Sequence, residues 1–334
     1  MTNLRPRGKP TQAHERHFAG MRLISADEVA AHVPFEAAVD ALENALLNGL
    51  DPECDPMRSR IETATGEFLM MPSTLGELSG IKVLSSTEAN PRRGLPLIQG
   101  AYLLFDGPDQ RPAAIIDGIA LTNLRTPALS ALALRFLTPD RKPERLTIFG
   151  AGPQARGHAL ALCALRNVTD VSLVGVDAAS VEALAAEITQ TGTPARPYIL
   201  EEAAPAVARA DIICTCTSSP TPLFDGALVR DSAVVVAMGS HSPETRETDD
   251  TLITRATVVI ESRSSVLREA GDIIIPVESG LIDGDVLVTL SDVVTGNAHV
   301  DSTRPRLFKF VGMPWQDLVV AAAIYRSITS TPQP

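Results

Sequence analysis

The chain has 334 residues, 45% of them apolar and 21% charged, and a formal net charge of −11 at pH 7. That composition excludes intrinsic disorder, collagen and coiled coil as descriptions of the whole chain, and at roughly 100 to 200 residues per domain the length suggests two domains. The acidic balance argues against a nucleic-acid partner, because phosphate binding rests on Lys and Arg, so an anionic small molecule would need a local basic pocket.

The stretch 1–20 is polar and basic without an apolar centre, which predicts a disordered tail rather than a signal peptide. Nothing in the chain reaches about 18 consecutive apolar residues, so no membrane span is expected. Next, Ser25-Ala-Asp-Glu28 has the form of a helix capping box, and Phe35 to Leu47 carries helical apolar spacing. The period then changes: short strands separated by Gly/Pro turns are predicted around Arg58–Ile61, Glu67–Met71, Gly80–Leu84 and Gly100–Phe105, followed by a helix from Leu121 to Leu137. This half reads as an α+β unit.

The middle differs. Arg145–Phe149, Asp170–Val174, Asp211–Thr215, Ala233–Ala237 and Thr257–Ile260 are apolar on both faces and spaced to leave room for crossover helices, which predicts a doubly wound parallel sheet. Past Asp301 the chain is expected to leave that sheet through Leu307–Gly312 and end in a helix from Trp315 to Ile328. The four cysteines, Cys54, Cys163, Cys214 and Cys216, are too few and irregular for a disulfide framework and read as reduced thiols of a cytoplasmic protein. Cys214 and Cys216 share a strand face but lack two further ligands, and the histidines outside position 241 show no ligand spacing, so no metal is expected.

The most informative local motif is Gly150-Ala-Gly152-Pro153-Gln154-Ala155, which follows a strand and opens a helix. It is the GxGxxA form of the dinucleotide fingerprint: Gly150 permits the tight turn, Gly152 lets a pyrophosphate reach the backbone, and small Ala155 lets the helix pack on the sheet. The helix start supplies free amides for an anion. At the end of the next strand stands Asp177, suited to ribose hydroxyls, with Val176 beside it rather than a basic residue. This leans towards NAD(H), while Ser180 or a remote Arg leaves NADP(H) open; the same carboxylate also suits an N-cap.

Written out as Phe149-Gly-Ala-Gly-Pro-Gln-Ala-Arg-Gly-His158, the fingerprint resembles that of the ornithine cyclodeaminase/mu-crystallin family. The likeness extends to Asp117-Gly118, Leu121–Ser130, Ala237–Glu247, Glu269–Asp272 and Phe308–Met313, and so covers nearly the whole chain. The resemblance implies a Rossmann doubly wound sheet inserted into an α+β substrate and dimerisation domain. The expected division is 21–135 with 310–334 for substrate and dimer, and 136–309 for the dinucleotide, the whole forming a homodimer. It also implies that Arg60, Lys82 and Arg125 hold a substrate carboxylate, with Arg58 as the alternative to Arg60. Lys82 is placed to donate a proton near an imine nitrogen, and Asp317 matches an acidic position near the nicotinamide end. Thr126, Gly239 and Ser240 join Gly150, Gly152, Pro153, Gln154, Ala155 and Asp177 as expected cofactor contacts.

His241 is a departure, since the cyclodeaminases proper carry an Asp at this position that handles the terminal amine during ring closure. A neutral imidazole supplies no fixed negative charge for an ammonium group, so ornithine cyclisation is in doubt, and His241 stands as a catalytic candidate or a loop residue facing the cofactor. The expected reaction is NAD(P)H-dependent reduction of a small cyclic ketimine of the Δ1-pyrroline-2-carboxylate type to the L-amino acid. The alternatives are an alanine-type dehydrogenase, an ornithine cyclodeaminase and a non-catalytic small-molecule binder like mu-crystallin.

Overall fold

The computed structural model describes residues 20–138 and 142–330. All but the last residue of the tail expected over 1–20 lies outside the described residues.

The first half begins with β1 (Arg22–Ile24), α1 (Ala26–His32) and α2 (Phe35–Leu47). Ser25 and Glu28 close the anticipated capping box at the start of α1, each bonding the other's backbone amide. Strands β2 (Ser59–Thr63), β3 (Gly66–Leu75), β4 (Leu78–Ser86), β5 (Ile98–Asp106) and β6 (Arg111–Asp117) follow, and the six form one sheet in the order β1-β6-β5-β4-β3-β2. It is antiparallel except where β1 runs parallel to β6. The sequence reading missed β1 and β6, which are short or open with Arg-Pro, a poor strand signal.

Helix α3 (Gly118–Leu137) begins three residues earlier than predicted, because Asp117 caps the amides of Ile119 and Ala120. It packs against β5, α2 and α4 and is buried on nearly every side, which explains its apolar composition all round.

The second half holds β7 (Glu144–Phe149), α4 (Pro153–Leu165), β8 (Val168–Gly175), α5 (Ala178–Gln190), β9 (Ala195–Ile199), α6 (Ala204–Arg209), β10 (Ile212–Thr215), β11 (Val234–Ala237), α7 (Asp250–Arg255) and β12 (Thr257–Ile260). Then come α8 (Arg263–Glu269), α9 (Gly271–Glu278), β13 (Val288–Thr289), α10 (Leu290–Val294), β14 (Arg306–Lys309) and α11 (Pro314–Ser330). The eight strands form one parallel sheet ordered β13-β12-β14-β11-β10-β7-β8-β9, and the order reverses beside β7, where ligands bind in such sheets. One expectation is corrected here: the chain does not leave the sheet near Asp301. Residues Arg306–Lys309 return as β14 between β11 and β12, because Leu307 and Phe308 are fully buried on opposite faces and need a central position.

Helix α11 then crosses back onto β3, β4 and β5 of the first sheet. That crossing carries the end of a parallel strand directly to the antiparallel sheet and forms the floor of the site below. On its other face the first sheet is apolar and open. One row runs Leu23, Ile115, Leu103, Ile81 and Pro72 in register, and Ile61, Phe68 and Val83 continue it, exposed.

Candidate active site

The C-terminal ends of the parallel strands build a cradle. After β7 the backbone of Gly150 sits at φ +111°, and a Cβ there would lie 2.7 Å from the Cys216 carbonyl oxygen, so only glycine fits. Gly152 is the N-cap of α4 with no side-chain cap and open space before it, and Pro153 at the first helical position sacrifices no amide. The amides of that first turn therefore face outward. Ala155 is fully buried and lets α4 lie close on the sheet. Gln154 donates to Asn123 Oδ1 at 3.0 Å, while its own Oε1 and the Thr126 hydroxyl are buried without a partner among the described residues.

Asp177 ends the turn after β8 and caps α5 through the Ser180 amide, and the Ser180 hydroxyl lowers its pKa. Among the described residues no Lys, Arg or His forms an ion pair with it, and neighbouring Val176 is exposed. After β11, the amides of Gly239 and Ser240 both donate to Glu247. The Ser240 hydroxyl donates to the Thr245 carbonyl and is committed to its own loop. A glycine-lined approach, an open helix start, two buried polar atoms unpartnered among the described residues and an exposed carboxylate at the next strand end fit a dinucleotide.

Across from the cradle lies a buried cation cluster drawn from three elements. Lys82 on β4 has no exposed surface; its Nζ lies 2.8 and 2.7 Å from the two Asp317 oxygens and donates to Thr122 Oγ1 at 3.3 Å. Arg125 on α3 donates from Nε to Asp317 at 3.1 Å and from one terminal nitrogen to Gln316 Oε1 at 3.0 Å. Asp317 on α11 is fully buried and bridges both cations. Burial lowers the Lys82 pKa to about 7 against the opposing pull of Asp317, and the Arg125 and Arg58 charges push it the same way. The three expected residues Lys82, Arg125 and Asp317 are thus brought together.

Arg60 is not brought there, which is a correction. It stands opposite Leu69 in register, reaches Glu67 at 2.9 Å, and leaves 40% of its side chain exposed. Arg58 takes the inward position instead: its side chain is 8% exposed, it is paired with Glu269, and it donates to the Val311 carbonyl at 3.2 Å. Alternation along a strand predicted a shared face, but β2 starts only at Ser59, so Arg58 escapes that rule. His241 sits at the rim with Nδ1 on the Gly239 carbonyl at 3.1 Å and no catalytic side chain as partner. Partial burial lowers its pKa despite that hydrogen bond, and Arg58, Arg60 and Lys309 add to the effect, which keeps the ring neutral.

Several residues escaped the sequence reading. Glu261, at the end of β12, is buried and accepts the amides of Val311 and Gly312 and the side chain of Gln316. Lys309 pairs with Asp272 at 3.0 Å, and Asp272 also accepts the Glu247 and Thr248 amides, which fixes the loop after β11. Asp55 accepts the Trp315 amide and the Ser73 hydroxyl at the start of α11. The available signal was an acid or cation closing an apolar strand, where a lone charge needs a partner. Among the described residues no group of three His, Cys, Asp or Glu is placed to hold a metal ion, and no helix is long and apolar enough to cross a membrane.

Comparison with known proteins gives the family of the chain. Residues 21–332 match the family model described as ornithine cyclodeaminase/mu-crystallin family. A Δ1-pyrroline-2-carboxylate reductase of Colwellia psychrerythraea is 30% identical over 318 residues, covering 92% of this chain and 99% of the relative. The ketimine reductase mu-crystallin of Rattus norvegicus is 30% identical over 316 residues, covering 92% and 97%. Among solved structures, the Δ1-pyrroline-2-carboxylate reductase of Thermococcus litoralis, in complex with NADH and L-proline, superposes with a TM-score of 0.86 at 28% identity, covering 92% of this chain and 98% of that one.

Proposed function

The chain belongs to the ornithine cyclodeaminase/mu-crystallin family, and from that premise we propose that it is an NAD(P)H-dependent reductase of a small cyclic ketimine of the Δ1-pyrroline-2-carboxylate type, forming the L-amino acid. The observation that carries this reading is the burial of Lys82 and Arg125 on a single shared carboxylate, Asp317, beside Arg58. Asp317 is shared by two cations, Arg58 adds a third that is paired with Glu269, and each guanidinium keeps donors for a ligand, an arrangement suited to a substrate carboxylate.

In this reading Arg58 and Arg125 grip the carboxylate and hold the adjoining carbon in place. Asp317 fixes the Lys82 ammonium and the Arg125 fork against rotation. Lys82, with a pKa near neutrality, holds a proton at Nζ beside the substrate nitrogen. The reduced nicotinamide, when bound, supplies the hydride equivalent, and the protein supplies orientation and charge. Gly150, Gly152 and the start of α4 take the pyrophosphate, Gln154 and Thr126 offer polar atoms to it, and the Asp177 carboxylate favours a ribose diol and hence NAD(H). Neutral His241 serves as a polar contact at the rim and gives no fixed negative charge for a distal ammonium, which disfavours ornithine as substrate.

The division into 21–135 with 310–334 for substrate and 136–309 for the dinucleotide belongs to the same proposal. So does a homodimer joined through the open apolar face of the first sheet, with 73% of Leu23 and 44% of Phe68 exposed in the single chain. Four cysteines outside any disulfide suit a cytoplasmic location. NAD(P)H oxidation tests the reaction. A ketimine reductase turns over a cyclic imino acid without ammonia. A chain active only on pyruvate with ammonia is an alanine-type dehydrogenase, and one that binds nicotinamide but turns over neither is a binder.

A further inference from the structure

Glu261 makes more contacts than closing a strand requires. Its carboxylate is 2% exposed and accepts the Val311 amide at 2.7 Å, the Gly312 amide at 3.0 and 3.2 Å, Gln316 Nε2 at 2.8 Å and the Ser265 hydroxyl at 3.3 Å. Each of the first three leads to a carboxylate-binding arginine. The Val311 carbonyl, on the turn whose amides Glu261 holds, accepts from Arg58. The Gln316 amide, oriented by its donation to Glu261, presents Oε1 to Arg125. Gly312, at φ +83°, lies so close to Arg125 that a Cβ would come within 2.7 Å of its guanidinium, so any shift of this turn moves that side chain as well.

We infer that Glu261, at the end of β12 with its carboxylate committed to these donors, is the positioning residue that sets Arg58 and Arg125 together, through the Val311–Gly312 turn and Gln316. The inference rests on the reading of those arginines as the carboxylate clamp. Because β12 belongs to one sheet and α11 packs on the other, Glu261 also makes the spacing of the two arginines depend on how the halves meet. A glutamine at 261 would turn one amide group towards the donors of Val311, Gly312 or Gln316, where it cannot accept.

The test uses the full chain, with Glu261→Gln and Gln316→Ala singly and combined. The expected result for Glu261→Gln is a rise of at least about tenfold in KM for the imino acid, with the affinity for the nicotinamide dinucleotide changed less than about twofold. Gln316→Ala should reproduce part of that rise, and the double variant should fall short of the product of the two. Hydrogen exchange at the Arg125 Nε–H of the free protein, read by NMR, should speed up in both single variants. This second readout needs no turnover, so it decides the inference even if the wild-type chain reduces no imino acid and the functional reading fails. Unchanged Arg125 exchange in Gln316→Ala, or a KM rise matched by an equal loss of dinucleotide affinity, would overturn the role of Glu261. Should Glu261→Gln not fold, Glu261→Asp, which keeps the charge but shortens its reach to Val311, Gly312 and Gln316, decides it by the same two measurements.

Discussion

Lys82 and the two neighbouring arginines show how burial decides between a surface charge and a working one. A surface ion pair such as Arg60 with Glu67 contributes about 0 to 1 kcal/mol, whereas removing one member of a desolvated, hydrogen-bonded charge pair costs about 2 to 5 kcal/mol. Arg58→Ala should therefore raise KM for the imino acid by a factor of roughly 30 to several thousand, and Arg60→Ala by no more than about fivefold. Steady-state kinetics of the two variants side by side check this, and equal effects would return the clamp to Arg60. Lys82 adds a pH dependence. Its folded pKa, about 7, lies below the unfolded value of 10.5, so between those values the unfolded chain binds more protons and stability rises with pH. Below about pH 7 the full burden of a buried ammonium is present. The melting temperature of the wild type should climb with pH across that window more steeply than that of Lys82→Met, and parallel curves would contradict the buried position.

At the scale of elements, the site depends on where strands and helices end. Glu261 follows β12 and holds the turn between β14 and α11, Lys309 ends β14 on Asp272, and Asp317 in the first turn of α11 holds Lys82 and Arg125. The turn between β14 and α11 is the weak point, because Gly312 adopts a backbone that other residues rarely take. Gly312→Ala should destabilise by about 1 to 3 kcal/mol through backbone strain, and it should also raise KM, since the new methyl displaces an Arg125 already held by Asp317 and Gln316. Stability loss without any change in KM would show that this contact is unrelated to binding. In the proposed reading the turn after β8 sets cofactor choice, so Asp177→Ala should weaken NADH binding and narrow its advantage over NADPH, as fluorescence titration would read.

Much of this was legible in the sequence where a local rule applies: the capping box at Ser25, the glycines after β7, the parallel strands with both faces apolar. Resemblance carried Lys82, Arg125 and Asp317. What local pattern could not show was long-range placement. Leu307-Phe308 reads alike inside or outside a sheet, and only the space between β11 and β12 assigns it. Arg58 and Arg60 are two positions apart, and only the point where β2 begins separates a buried role from an exposed one. Glu261 and Gln316 gain meaning from partners about fifty residues away along the chain.

For the whole molecule, the proposed function divides the chemistry between the two sheets, one taking the dinucleotide at its strand ends and the other presenting cations across α11. In the proposed homodimer the open apolar face of the first sheet, away from that crossing, would join the two copies without involving the site. Phe68→Glu with Val83→Glu should yield a monomer in sedimentation velocity, and a double variant that remains dimeric would place the interface elsewhere. The proposed reaction is hydride delivery to the carbon beside a clamped carboxylate. Its most direct test is reduction of Δ1-pyrroline-2-carboxylate with NADH carrying deuterium at the transferable position, in the absence of ammonia, followed by mass spectrometry of the product. The expected product is L-proline with one deuterium at the α carbon. Proline without that label, or no proline from a chain that binds NADH, would contradict it.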